Sequence, residues 1–214
     1  MARITVLGGT GYAGGNIVRE AASRGHEVTS ISRNAPQEKV SGVTYVTGDV
    51  LDPGVVDQAV AGADVVVEAL SPRGALEGTI GSVVQKLSAA VQAAGARLGV
   101  VGGAGSLLVA PGGPAVAAAD DFPDAFKGEA AEMAAVLEDL RASDEALDWF
   151  YVSPAGDFGP WAAGEHTGTF RLGGDVLLVD ETGSSTISGA DFAQAFVDEI
   201  EQPAHRRQRF TVAY

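Results

Sequence analysis

Short β-branched runs alternate with longer alanine-rich segments along the first two-thirds of the chain. The runs are Ile4–Leu7, Val28–Ile31, Val43–Val46, Asp64–Val67, Leu98–Val101 and Phe150–Ser153. They lack a clean alternation of apolar and polar positions, as strands of a parallel sheet do when helices cover both faces. Between them, Tyr12–Arg24, Pro53–Val60, Leu76–Ala94 and Lys127–Arg141 carry helical composition. In the last of these, Met133, Val136, Leu137 and Leu140 fall at i, i+3, i+4 and i+7, one apolar stripe that assigns them to the core. Further on, Ser188 and Asp191 have the spacing of a capping box. The helix it opens turns Phe192, Phe196, Val197 and Ile200 inward, and the apolar run Phe210–Val212 is expected at the sheet edge.

Two segments break this rhythm. Gly102–Asp124 is a long Gly/Pro/Ala stretch after a strand, and connections of that length are commonly functional, so it is read as a lid. Pro154–Val179, with spaced aromatics and glycines, is read as an irregular flap containing a short hairpin. No repeat or linker divides the chain. The expected architecture is α/β: a single doubly wound domain over residues 1–214, with approximately 154–180 as a substrate-side flap.

Composition narrows the partners. The 214 residues suffice for one sizeable core. Acidic residues number 28 against 14 basic, a formal charge of −14, which disfavours nucleic acid and anionic membrane and requires any anionic ligand to be gripped locally. Without cysteine there is no disulfide, thiolate nucleophile or Cys-based zinc site. The start "MARITVLGG" has too few apolar residues for a signal-peptide core, and no run has the length of a membrane span, so a soluble cytoplasmic protein is expected.

Directly behind the first strand stands "VLGGTGYAGG". A glycine-rich turn between a strand and a helix aims backbone N–H groups and a positive helix end at one point, which suits the pyrophosphate of a dinucleotide. Gly8, Gly11 and Gly14 form G-x-x-G-x-x-G. The first allows the tight turn, the second the approach of phosphate, and the third the packing of helix on strand. After the second strand, "VTSISRNA" offers no carboxylate for a ribose 2′-hydroxyl but does offer Arg33, whose guanidinium can fork onto a 2′-phosphate; NADP is thereby favoured over NAD. Asp49, at the end of the third strand, is placed to reach the adenine edge, or is a plain loop carboxylate.

With "GGTGYAGG", "ISRN", "TGDV", "EALSPRG", "VVGGAGS" and "YVSPAGDFGP" in order, the chain resembles the atypical short-chain dehydrogenases of the NmrA-like, NAD(P)H-binding group. It is most similar to small bacterial members related to flavin and biliverdin-IXβ reductases. The resemblance implies a Rossmann-type strand order 3-2-1-4-5-6-7. It also implies a phosphate turn of Gly8, Thr10, Gly11, Tyr12, Ala13 and Gly14, and Arg33 as the 2′-phosphate residue. Asp49 and Val50 would contact adenine, Ala69, Leu70 and Ser71 would wall the ribose, and Gly102 and Gly103 would end the nicotinamide strand.

One departure redirects the chemistry. Alcohol-oxidising short-chain dehydrogenases use a Tyr with a Lys four residues later. Here Tyr12, Tyr45 and Tyr151 are followed at that spacing by Asn16, Asp49 and Ala155. A flavin or quinone can take hydride with its proton drawn from water, so positioning suffices. Ser106 is the best placed hydroxyl to orient an acceptor, or else a turn serine. Phe158 and Trp161 can wall a planar acceptor, or anchor the flap. His26 is read as structural. His166 beside Glu165 has no evident third ligand, so no metal site is expected, and Glu68 is expected to be partly buried with a shifted pKa. Two functions follow: an NADPH-dependent reductase of a planar acceptor, or a non-catalytic NADP(H)-binding sensor that passes redox state to a protein partner.

Overall fold

The β-branched runs do assemble as one sheet. The computed structural model describes Met1–Tyr214. Its strands are β1 (Arg3–Leu7), β2 (Glu27–Ser32), β3 (Val43–Thr47), β4 (Val65–Glu68), β5 (Arg97–Val101), β6 (Trp149–Ser153), β7 (Arg171–Gly173) and β8 (Gln208–Ala213). Its helices are α1 (Tyr12–Ser23), α2 (Pro53–Val60), α3 (Ile80–Ala94), α4 (Asp124–Arg141) and α5 (Gly189–Glu201). The sheet order is β3-β2-β1-β4-β5-β6-β8-β7, parallel throughout except for β7. Ile4 pairs with Val28 on one side and Val65 on the other, so strand order reverses between β1 and β4. Ligands of doubly wound sheets bind at the carboxyl ends of the strands beside such a switch point.

Both faces are covered. α2, α3 and α4 bury Leu7, Val100 and Tyr151 on one face, whereas α1 and α5 bury Val6, Val67 and Phe150 on the other. Met133, Val136, Leu137 and Leu140 are core residues as their spacing requires, and Phe192, Phe196 and Val197 are fully buried. Each large apolar side chain buried in this way contributes about 1.5–3 kcal/mol.

Several expectations need correction. Phe210–Val212 is not the sheet edge: Leu172 of β7 pairs antiparallel with Val212 and covers β8. The flap accordingly contributes a strand to the main sheet rather than a hairpin of its own. Leu76–Ala94 is not continuous, because Gly78, at φ +70°, separates a short turn at Gly74–Leu76 from α3. Nor does Gly102–Asp124 form a lid. Leu107 is fully buried, the Leu108 N–H donates to Asp175 O at 2.8 Å, and Leu177 N–H donates to Leu108 O at 2.9 Å. Burying Leu107 and sharing backbone bonds with the flap ties the segment to the flap, and of its residues only Gly102 lines the cleft at the switch point.

The capping box is half used. Ser188 Oγ accepts the Asp191 N–H at 3.0 Å, but the Ser188 N–H donates to Tyr214 Oη. Asp191 instead accepts the Thr167 and Gly168 N–H groups at 2.9 and 2.8 Å and the Tyr214 hydroxyl, which pins the flap to α5. No helix is long and apolar enough to cross a membrane.

Candidate functional site

The glycine turn works by what its missing side chains permit. Gly8 sits at φ +83°, and a Cβ there would lie 2.5 Å from Ala69 O. A Cβ on Gly14 would lie 2.4 Å from Gly8 O, so this glycine lets α1 pack against the turn. Gly11 differs: its added Cβ meets only Gly8 O at 3.3 Å, and otherwise points into open space. Gly11 is the N-cap of α1 and no side chain caps the helix. The first-turn N–H groups and the positive end of the helix dipole are left for an anion.

That opening belongs to a cleft of about 450 Å³ at the carboxyl ends of β1, β2, β4 and β5. Gly8, Thr10, Gly11, Tyr12 and Ala13 form its floor, while Arg33, Asp49 and Val50 line one end. Ala69, Leu70 and Ser71 form a wall. Gly102, Phe158 and Trp161 stand at the other end, where Leu76 and Met133 add apolar surface. Arg33 is exposed and has no carboxylate partner. Asp49 Oδ1 accepts the Leu51 N–H at 3.0 Å, which fixes its loop.

Three expected site residues lie elsewhere. Gly14 is buried in the turn. Gly103 is outside the cleft lining, and its N–H donates to Tyr151 Oη at 3.3 Å. Ser106 is outside the lining too, and its Oγ accepts from Arg209 Nη1 at 2.9 Å, so this hydroxyl serves the flap contact. Gly102 does line the cleft, but its lack of a side chain is demanded by Tyr151, whose ring would lie 1.9 Å from an added Cβ.

Aromatic side chains organise the end away from Arg33. Phe158 packs 5.2 Å from Tyr12 and 4.6 Å from Phe192, between ring centroids, so it both faces the cleft and anchors the flap. The Tyr12 hydroxyl accepts the Gly189 N–H at 3.0 Å, and burial raises its pKa. Trp161 stacks on Phe126 and donates its indole N–H to Asp157 at 2.8 Å. Across the mouth, Arg73 pairs with Glu129 at 2.7 Å and lies over the Phe126 ring. Sequence reasoning missed Arg73, Leu76, Glu129 and Met133 as cleft residues, Met133 having been assigned to the core alone. Arg73 alone carried a signal, as a cation in the loop after β4.

The histidines are spoken for. His26 accepts the Ala2 N–H and meets Glu201 at 3.0 Å, at the far end of the sheet, and His166 meets Asp191 at 2.8 Å. Lys127 pairs with Asp124 on the exposed start of α4.

A family model for NAD(P)H-binding proteins matches residues 8–203. The chain belongs to the NAD(P)H-binding family. YwnB of Bacillus subtilis (strain 168), itself uncharacterised, is 37% identical over 215 residues that span 98% of this chain and 97% of YwnB. The crystal structure of a candidate exported protein from Burkholderia pseudomallei is 41% identical, with a TM-score of 0.87 and 100% of both chains covered. That of a candidate NADH-flavin reductase from Streptococcus pneumoniae TIGR4 is 32% identical, with a TM-score of 0.87 over 100% of this chain and 99% of the other. The residues present fit an NAD(P)H-binding protein: an uncapped helix start, an open face at Gly11 and an unpaired Arg33 share one cleft.

Proposed function

We propose that this family member is an NADPH-dependent reductase of a planar acceptor such as a flavin or quinone, of the NmrA-like type. The observation that carries the reading is the two-ended cleft, with an unpaired guanidinium at one end and aromatic side chains at the other. Bound NADPH supplies the hydride. The start of α1 and Gly11 hold the diphosphate, and Arg33 holds the 2′-phosphate. Phe158, Trp161 and Met133 flank the acceptor. No Tyr–Lys pair stands in the cleft, so the acceptor's proton comes from solvent, which a flavin or quinone tolerates. The name of the Streptococcus pneumoniae relative supports this acceptor class. A cytoplasmic location, where reduced nicotinamide cofactors are regenerated, is part of the same reading.

The second reading is an NADP(H)-binding sensor acting on a protein partner. The missing Tyr–Lys pair suits it equally well. Oxidation of NADPH by purified protein with FMN, FAD or a quinone, against a protein-free blank, separates the two. Acceptor-dependent oxidation supports the reductase. NADP binding with no oxidation above the blank supports the sensor.

A further inference from the structure

Glu68 closes β4 in register between Leu7 of β1 and Val100 of β5, and it is 0% exposed. Its Oε1 accepts the Leu70 N–H at 2.8 Å. Its Oε2 is buried and has no partner, which is exceptional for a native carboxyl. Immediately after it, Ala69, Leu70 and Ser71 wall the cleft, and Glu68 is the one side chain bonded to their backbone.

No cation offsets this group. The buried residues of α2, α3 and α4, which cover this face, are apolar apart from the backbone. Arg73, in the loop that follows, is held by Glu129 at the rim. Tyr151, beyond Val100 in the same row, is the titratable group that senses Glu68, and burial pushes its phenol up. Burial pushes the Glu68 carboxyl up to about 8, against the opposing effect of the Leu70 N–H, so it is neutral at physiological pH.

We propose that Glu68, in its neutral form, is the positioning residue of the cofactor cleft: it holds the Ala69–Ser71 wall, and its ionisation draws water through that wall and weakens dinucleotide binding. The inference rests on the reading of the cleft as a dinucleotide site. An ionised carboxylate cannot remain dry and unpaired, and the segment Glu68 is bonded to, Ala69–Ser71, is the one that lines the cleft.

The test is calorimetric titration of NADP⁺ into wild type and Glu68→Gln from pH 6.5 to 9.5. Glutamine keeps the acceptor for Leu70 and cannot ionise. The wild-type Kd should rise about tenfold between pH 7 and 9, as loss of one proton near pH 8 requires, while the variant stays within about twofold. A flat wild-type profile, or the same alkaline loss in Glu68→Gln, overturns the proposal. A variant-free arm follows the ¹³C carboxyl resonance of Glu68 in wild type. By linkage its midpoint must move upward when NADP⁺ is added, and an unmoved midpoint overturns the proposal as well. Absence of binding at pH 6.5 is a different result, which removes the dinucleotide reading and this inference with it.

Discussion

Trp161 lies over Phe126 with ring centroids 6.4 Å apart and planes 24° from parallel. The pair joins the flap to α4 at the end of the cleft away from Arg33, where Trp161 packs on Gly159 yet remains 63% exposed and lines the cleft, so a ligand can reach its ring. Trp161→Ala should raise the KM for FMN by up to about tenfold, the worth of one aromatic contact, with a smaller effect on kcat. Because the ring is mostly outside the core, stability should move by no more than about 0.5 kcal/mol. Steady-state kinetics beside a urea melt checks both. An unchanged KM assigns Trp161 to flap anchoring alone.

Gly11 and Gly14 should fail in opposite ways. Gly11→Val meets only Gly8 O, at 3.3 Å, to which the turn must yield slightly, but it fills the space a diphosphate must enter, so dinucleotide binding should vanish while the melting temperature falls much less than in Gly14→Val. In Gly14→Val the side chain meets Gly8 backbone, and the melting temperature should fall first. Circular dichroism melts paired with NADP⁺ titrations distinguish them. Full affinity in folded Gly11→Val removes the turn from the site.

Asp191 ties pH to the flap. Burial alone would raise its pKa, but the donors Tyr214, Thr167, Gly168 and Ser188 outweigh burial and hold it at about 2, below the ordinary 3.8. A carboxylate with a depressed pKa contributes stability that is present above 3.8 and lost as pH falls toward 2. Asp191→Asn should therefore cost about 1.5–3 kcal/mol at pH 7 and flatten the acid limb between those values. Denaturant melts from pH 2 to 7 measure it. An acid limb identical in both proteins would exclude Asp191 as its source.

These residues also show where sequence was sufficient. Strands and helices were legible because β-branched runs and the Met133–Leu140 stripe are local, periodic signals. The glycine turn was legible because it directly follows a strand. The lid reading of Gly102–Asp124 failed because glycine and proline content does not reveal that one residue, Leu107, is fully buried and that Leu108 bonds to the flap. Ser106 was misplaced for a related reason: its partner Arg209 is distant in sequence. The Arg73–Glu129 pair joins two separate segments, and no spacing rule brings them together. Glu68 was expected to be partly buried, whereas it is wholly so, because Leu7, Val100 and the helices above leave it no route to water.

On the proposed function, cofactor choice rests on Arg33. It is the cation of the cleft that no carboxylate engages, since Arg73 is held by Glu129. If its guanidinium contacts the 2′-phosphate, Arg33→Ala should cost about 1.5–3 kcal/mol of NADPH binding, roughly ten- to a hundredfold in affinity. NADH lacks that phosphate and should bind the variant as it binds wild type. The formal charge of −14 sharpens the comparison, because a negative protein disfavours the more highly charged NADPH and any net preference must come from a local cation. Added salt should therefore weaken NADPH binding to wild type more than to the variant. Dissociation constants for both cofactors, measured for both proteins at two salt concentrations, carry the argument. If Arg33→Ala retains the full preference for NADPH, or if wild type prefers NADH, Arg33 is a solvated arginine and the 2′-phosphate is held elsewhere or not at all.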